Sequence, residues 1–384
     1  RNYMLYIIYY IYWRTLMFAN NADLSGLWGC AMSNKKERQL NCEVLRIVAM
    51  LMIVCLHYFG KGGLLGKPSD PELTAAGYTI WFLEALCLSA VNLYVLISGY
   101  FGGGTYSLQR PFRIWKQVFF YSVIIGIAAG IIGGQKPDIY RIFTYIFPIV
   151  TEHYWFATSY IILCLLMPFF DAGFAYFDKR QIKSIILVML LLFSISKTVL
   201  PMQLPWDKYG YDAFWFMVLY LTGGYLRRYG VEQIKSRAQA ALLYLGSVAM
   251  IFASFLVLRM VFLKTGKLED LINYSYTYNY LFCYTAAVGG FIFFVNTWQD
   301  SPVLKRLRKP IELLSGATFG VYLIHEHIEL RSQWPKWFHC EEQRTQSVGG
   351  LLVHMIFTVL TVYIICTAIE IIRFNIARLI FHRR

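Results

Sequence analysis

An all-α integral membrane protein, a bundle of ten transmembrane helices, is the fold class this sequence predicts, and three observations predict it. The 384 residues are 58% hydrophobic and only 15% charged, whereas an ordinary soluble domain carries roughly 25% charged residues. The mean hydropathy is +0.48. Apolar stretches recur that are long enough, roughly 17 to 25 residues each, to cross about 30 Å of hydrocarbon. These figures exclude a disordered chain and a coiled coil, and no internal repeat or soluble terminal domain interrupts the pattern.

The ten stretches run over residues 43–59, 75–99, 113–134, 153–172, 182–200, 211–227, 238–263, 276–297, 312–330 and 348–372. An even number puts both termini on one side. Lys and Arg are about twice as frequent in the loops of that side, which the positive-inside rule places in the cytoplasm. Lys35, Lys36 and Arg38 precede the first span, Arg110, Arg113 and Lys116 follow the second, and Lys305, Arg306, Arg308 and Lys309 precede the ninth. The net charge of +14 therefore reports topology in a plasma membrane rather than affinity for nucleic acid. Residues 32–384 form the ten-span domain. Residues 1–31, whose short apolar run is broken by Arg14 and has no small-residue cleavage site, are read as an N-terminal extension, either a helix lying at the interface or a non-native stretch.

Eight cysteines without a Cys-x-x-Cys pair exclude a zinc ribbon and argue against a disulfide framework. His325-Glu-His327 lacks the i, i+4 spacing of a zinc helix, so no metal is expected. With short loops throughout, any chemistry lies among polar residues inside the bundle or at its mouths.

Arg46 and His57 in the first span are separated by about 1100° of helix, about 20° past three turns, so they share one face. They stand about 16 Å apart along the axis. Taken singly, Arg46 is a snorkelling anchor and His57 an interfacial histidine; as a pair on one face they are less easily dismissed. Gly99-Tyr-Phe-Gly-Gly-Gly104, with Arg110 and Arg113 beyond it, is a flexible loop or a phosphate cradle, since glycines admit backbone N–H groups to an anion and arginines grip phosphate. Glu84, mid-span, is either the orienting partner of the base or a structural hydrogen-bonding group. At the outer mouth, His153 and Trp155 at the start of the fourth span face Tyr322, His325 and Glu326 in the ninth. Acids, histidines and rings together suit a sugar, although Trp155, Trp334 and Trp337 are also what an interfacial belt requires.

The stretch Arg46-Ile-Val-Ala-Met-Leu-Met-Ile-Val-Cys-Leu-His57 resembles the Arg-x10-His signature of the membrane-bound acyltransferase family 3. Leu96-Ile-Ser-Gly-Tyr-Phe101, His153-Tyr-Trp-Phe156 and Phe319-Gly-Val-Tyr-Leu-Ile-His325 are similar to further stretches of that family in the same order, and the likeness extends over about residues 38–372. The resemblance implies a CoA-dependent O-acyltransferase that moves acetyl or another acyl group from cytoplasmic acetyl-CoA to a hydroxyl of an envelope glycan or glycolipid on the far side. His57 and Glu84 are then catalytic, with His57 as general base or transient acyl carrier. Arg46, Ser98, Gly99, Arg110 and Arg113 meet the CoA, and His153, Trp155, Tyr322, His325 and Glu326 meet the acceptor. The chain departs from the family where an acidic residue often follows the tryptophan of the fourth span; here Trp155 leads into Phe-Ala-Thr-Ser-Tyr160. A multi-span transporter or flippase is the alternative, although paired half-helices broken by Gly or Pro are not evident.

Overall fold

Leu40–Gly60 form the first helix, α1, because the run contains no proline and its apolar residues Leu45, Ala49, Ile53 and Leu56 recur on one buried face. The computed structural model describes residues 38–103, 108–133, 137–200, 207–231, 234–297 and 301–381; the extension 1–31 and Gly104 lie outside them. No strand occurs among the described residues.

The second apolar segment, Ala75–Tyr100 (α2), is helical in two pieces that meet at Leu88 and Ser89, with Thr74 capping its start. Then come Gln109–Ile132 (α3), the short Ile139–Ile146 (α4), Trp155–Tyr176 (α5) and Lys179–Val199 (α6). A π-turn at Leu191–Ile195 interrupts α6, where the Phe193 carbonyl accepts from Asn279 at 3.0 Å. Ala213–Tyr229 (α7), Arg237–Thr265 (α8), Leu281–Val295 (α9), Arg308–His325 (α10) and Val348–Phe381 (α11) complete the order. Every predicted span thus coincides with a helix. Seven helices (α1, α2, α3, α5, α6, α8 and α11) are long and apolar enough to cross a membrane by length and composition. Of the other three, α7 and α9 have 17 and 15 residues, while α10 has 18 but opens on Arg308 and Lys309.

Gln39–Glu370 form one compact unit, and the end of α11 from Ile371 falls outside it. Within this unit α1 packs along α10 and α2, α3 along α5 and α10, α7 along α2, and α8 along α9. The α2–α7 contact is closest at its glycines. A Cβ on Gly99 would lie 2.1 Å from the Tyr220 carbonyl oxygen, and one on Gly223 would lie 2.3 Å from that of Leu96. Small residues let helix backbones touch in this way.

Candidate functional site

At the start of α1, Arg46 reaches back one turn to Glu43, Nη1 to Oε1 at 2.5 Å. The other oxygen of Glu43 accepts the Ser315 hydroxyl at 2.5 Å, and the Tyr94 hydroxyl donates to the Arg46 carbonyl at 2.7 Å. The guanidinium is therefore steered by a carboxylate that sequence reasoning passed over. Arg110 Nη2 donates to the Tyr160 hydroxyl at 2.5 Å, and that hydroxyl also meets Ser98 Oγ at 2.8 Å. Ser98 and Arg110 are thus joined through Tyr160. Arg113 is exposed and apart from this set.

The side of Gly99 that a Cβ would occupy is filled by the Tyr220 backbone. The loop N–H of Gly103 is likewise taken, by Asp171 Oδ2 at 3.0 Å, while the other oxygen of Asp171 accepts the Tyr220 hydroxyl at 2.8 Å. In this loop the glycines permit close packing of helices and a tight exit from α2.

Toward the other end of α1, His57 meets His325 across 268 positions of sequence: Nδ1 of His57 lies 2.8 Å from Nε2 of His325. The remaining nitrogen of His325, Nδ1, lies 2.6 Å from the Val321 carbonyl oxygen. A carbonyl only accepts, so His325 carries its proton on Nδ1, and its Nε2 in the neutral ring is an acceptor. His57 must then donate from Nδ1, which leaves its Nε2 unprotonated, and no hydrogen bond engages that nitrogen among the described residues. The pattern assigns both tautomers and presents a free basic lone pair. Glu326 Oε2 lies 3.4 Å from the same Nδ1, and Oε1 lies 3.6 Å from Arg331 and 3.9 Å from Lys61.

His325 and Glu326 are 2% and 4% exposed and lie 2.8 and 3.4 Å from His57 Nδ1. Glu84 does not orient His57: it lies mid-span by Cys55, and one of its oxygens is buried without a hydrogen bond. His153 has no nitrogen left for a substrate, since Nε2 accepts the Ile328 N–H at 3.0 Å and Nδ1 meets Ser122 Oγ at 3.1 Å. With His327, whose nitrogens meet the Ser122 carbonyl and the Glu329 N–H, it pins the turn that carries Glu326. Trp155 stays at the site, its ring 4.5 Å from Tyr211 and 5.7 Å from Tyr278 between centroids.

Trp334 is not a belt residue. It is buried, and its Nε1 donates to the His325 carbonyl at 3.1 Å, whereas Trp337 is 65% exposed, as an anchor should be. Burial separates two tryptophans that composition cannot distinguish. A run of rings joins the two ends of the site. Tyr160 stacks on Phe156 at 5.6 Å, Phe156 meets Tyr322 at 5.7 Å, and Tyr322 lies 6.4 Å from His325. The arrangement combines a cationic end, an aromatic path and a base held in one tautomer.

No curated protein and no solved structure matches this chain. A family model does, described as an acyltransferase domain, over residues 40–370. That stretch includes every residue of the site described above, six of the seven apolar helices that make this a multi-pass membrane protein, and the greater part of the seventh, α11. The chain belongs to the acyltransferase family 3.

Proposed function

We propose that the protein transfers an acyl group, acetyl in the first instance, from acyl-CoA in the cytoplasm to a hydroxyl of an envelope glycan or lipid-linked glycan on the far side of the plasma membrane. In this reading all ten helices span, both termini are cytoplasmic, and α1 carries Arg46 at the inner and His57 at the outer mouth. The observation that carries the proposal is the free Nε2 of His57, fixed by His325.

The nucleotide phosphates of CoA meet Arg46 and Arg110, and the pantetheine arm follows the rings of Tyr160, Phe156 and Tyr322 to bring the thioester to His57. The acceptor hydroxyl is too weak a nucleophile in its protonated form, so His57 Nε2 takes its proton as the oxygen attacks the thioester carbonyl. The imidazolium that forms is stabilised by Glu326 at 3.4 Å, and its proton then passes to the departing CoA sulfur. The free lone pair supports direct transfer with His57 as base.

The test is release of CoA thiol from acetyl-CoA by the purified chain in vesicles. His57→Ala is expected to lower the rate about 100-fold or more, and Arg46→Ala to raise the half-saturating acetyl-CoA concentration about 10-fold. Absence of thiol release, or a His57→Ala variant as fast as the parent, overturns the proposal.

A further inference from the structure

The segment between α3 and α5 turns its apolar side chains outward and its polar ones inward. On α4 and its C-cap, Ile139, Phe143 and Phe147 lie within about 80° of one another, with Tyr140 about 20° beyond. These four are 87, 47, 47 and 67% exposed. The opposite face is polar and is spent on the protein. Arg141 Nη1 reaches both oxygens of Glu329 at 2.7 and 2.8 Å, and the Tyr145 hydroxyl donates to the same carboxylate at 2.7 Å. Thr144 is buried, and its hydroxyl donates to the Tyr140 carbonyl at 2.9 Å. A helix whose outer face meets water has the reverse order.

The depth of α4 follows from its seat. Its Tyr145 ring rests on Gly126 of α3, where a Cβ would lie 2.6 Å from it. Gly126 precedes the end of α3 at Ile132 by six residues, which is about 9 Å along the axis. The helix α4 therefore runs beside the closing turns of a helix long and apolar enough to cross a membrane, not beyond its end. Those turns expose Ile127, Ile131 and Ile132, so the apolar face of α4 continues a surface that meets lipid. Arg141, in the first turn of α4, lies at the shallower end, where a cation paired with Glu329 is tolerated.

The backbone that leaves α4 is satisfied from within. The Phe147 carbonyl accepts the Thr151 N–H at 3.1 Å and the Thr151 hydroxyl at 3.0 Å, and the Pro148 carbonyl accepts the His153 N–H at 3.0 Å. The Ile149 carbonyl accepts the Thr158 hydroxyl at 3.1 Å, from a residue about one turn inside α5. Water supplies such partners to an ordinary surface loop, whereas non-helical backbone at membrane depth must find them in the protein. Between these bonded carbonyls the Val150 side chain is 76% exposed.

We propose that residues 139–151 form a re-entrant segment seated in the bilayer at the His57 end of the bundle, with Ile139, Tyr140, Phe143, Phe147 and Val150 against phospholipid hydrocarbon. The inference does not depend on acyl transfer. It gives the polar face a second consequence: Arg141 and Tyr145 tie a lipid-seated segment to Glu329, three residues beyond Glu326 in the same turn, and the Tyr145 ring lies 5.9 Å from that of His327.

The experiment places a photoreactive benzophenone amino acid at Phe143, and in a second variant at Ile139, in the full chain reconstituted in vesicles of phosphatidylethanolamine and phosphatidylglycerol. Irradiation is expected to add the mass of a phospholipid at both positions, whereas the same probe at Glu342, exposed before α11, adds none. In nanodiscs of the same lipids, which leave both faces open to reagent, Val150→Cys is expected to resist a water-soluble maleimide and to label once SDS is added. Glu342→Cys labels in both states, and peptide mapping separates each label from the native cysteines. Crosslinks to a second copy of the chain in place of lipid, or probes that capture no lipid, overturn the proposal. A Val150→Cys that labels as readily as Glu342→Cys does so as well. Size-exclusion profiles that match the parent's qualify each variant, and three separate positions keep the result from resting on one substitution.

Discussion

Replacing His325 by leucine removes the acceptor that holds the proton on Nδ1 of His57, and the consequence can be worked from the geometry. The bond is 2.8 Å long and sits beside a His57 side chain that is 18% exposed, so water restores little of it. Leaving the donor unpaired costs about 1–3 kcal/mol. At about 1.4 kcal/mol per factor of ten, the rate of thiol release from acetyl-CoA should fall about 5- to 150-fold. His325→Gln supplies a side-chain oxygen as acceptor and an amide N–H for the Val321 carbonyl, so it should recover to within about ten-fold of the parent. Steady-state assays in vesicles, with size-exclusion profiles as a check on folding, give the comparison. A His325→Leu variant within two-fold of the parent, or one that His325→Gln fails to improve upon, refutes the tautomer relay.

Two further outcomes follow from the same site. Glu326→Gln removes a carboxylate 3.4 Å from His57 Nδ1 and should slow thiol release from acetyl-CoA about ten-fold; a rate equal to the parent's would contradict the part given to Glu326 in transfer. Gly99→Ala places a methyl 2.1 Å from the Tyr220 carbonyl oxygen and should cost about 1–3 kcal/mol in packing, seen as a lower melting temperature in detergent. An unchanged melt with a raised KM for acetyl-CoA would return Gly99 to the phosphate site.

The helices were legible because hydropathy over a span-length window is a local property, and each apolar stretch lies on a helix. Arg46 and His57 were legible as a pair because helical spacing also is local. The partners of the base were not. His57 and His325 come from opposite ends of the chain, and the same letters, acid and histidine at a mouth, describe a substrate contact and an orienting group equally well. What separates them is which nitrogen faces a carbonyl, as at Val321. His153 is ambiguous in the sequence for that reason: its two hydrogen bonds, to Ser122 and Ile328, exist only after α3, α5 and the turn beyond α10 have met. Glu43 was overlooked because a carboxylate one turn from an arginine is common on any helix surface, and only Ser315 from α10 marks this one as interior.

The crossing of α2 and α7 constrains how the site can vary. Gly99 rests on the backbone of α7 and Gly223 on that of α2, so neither helix can move toward the other or accept a bulkier residue at the contact. That wall has a fixed gauge, and Ser98 is mounted on it. The opposite wall is lined by side chains, Phe156 and Tyr160 on α5 and Tyr322 on α10, which can be exchanged for larger or smaller rings without moving a backbone. If the protein transfers acyl groups as proposed, selection among chains of different length falls to the α5 and α10 wall, which can change bore without moving α1, the helix that holds both Arg46 and His57.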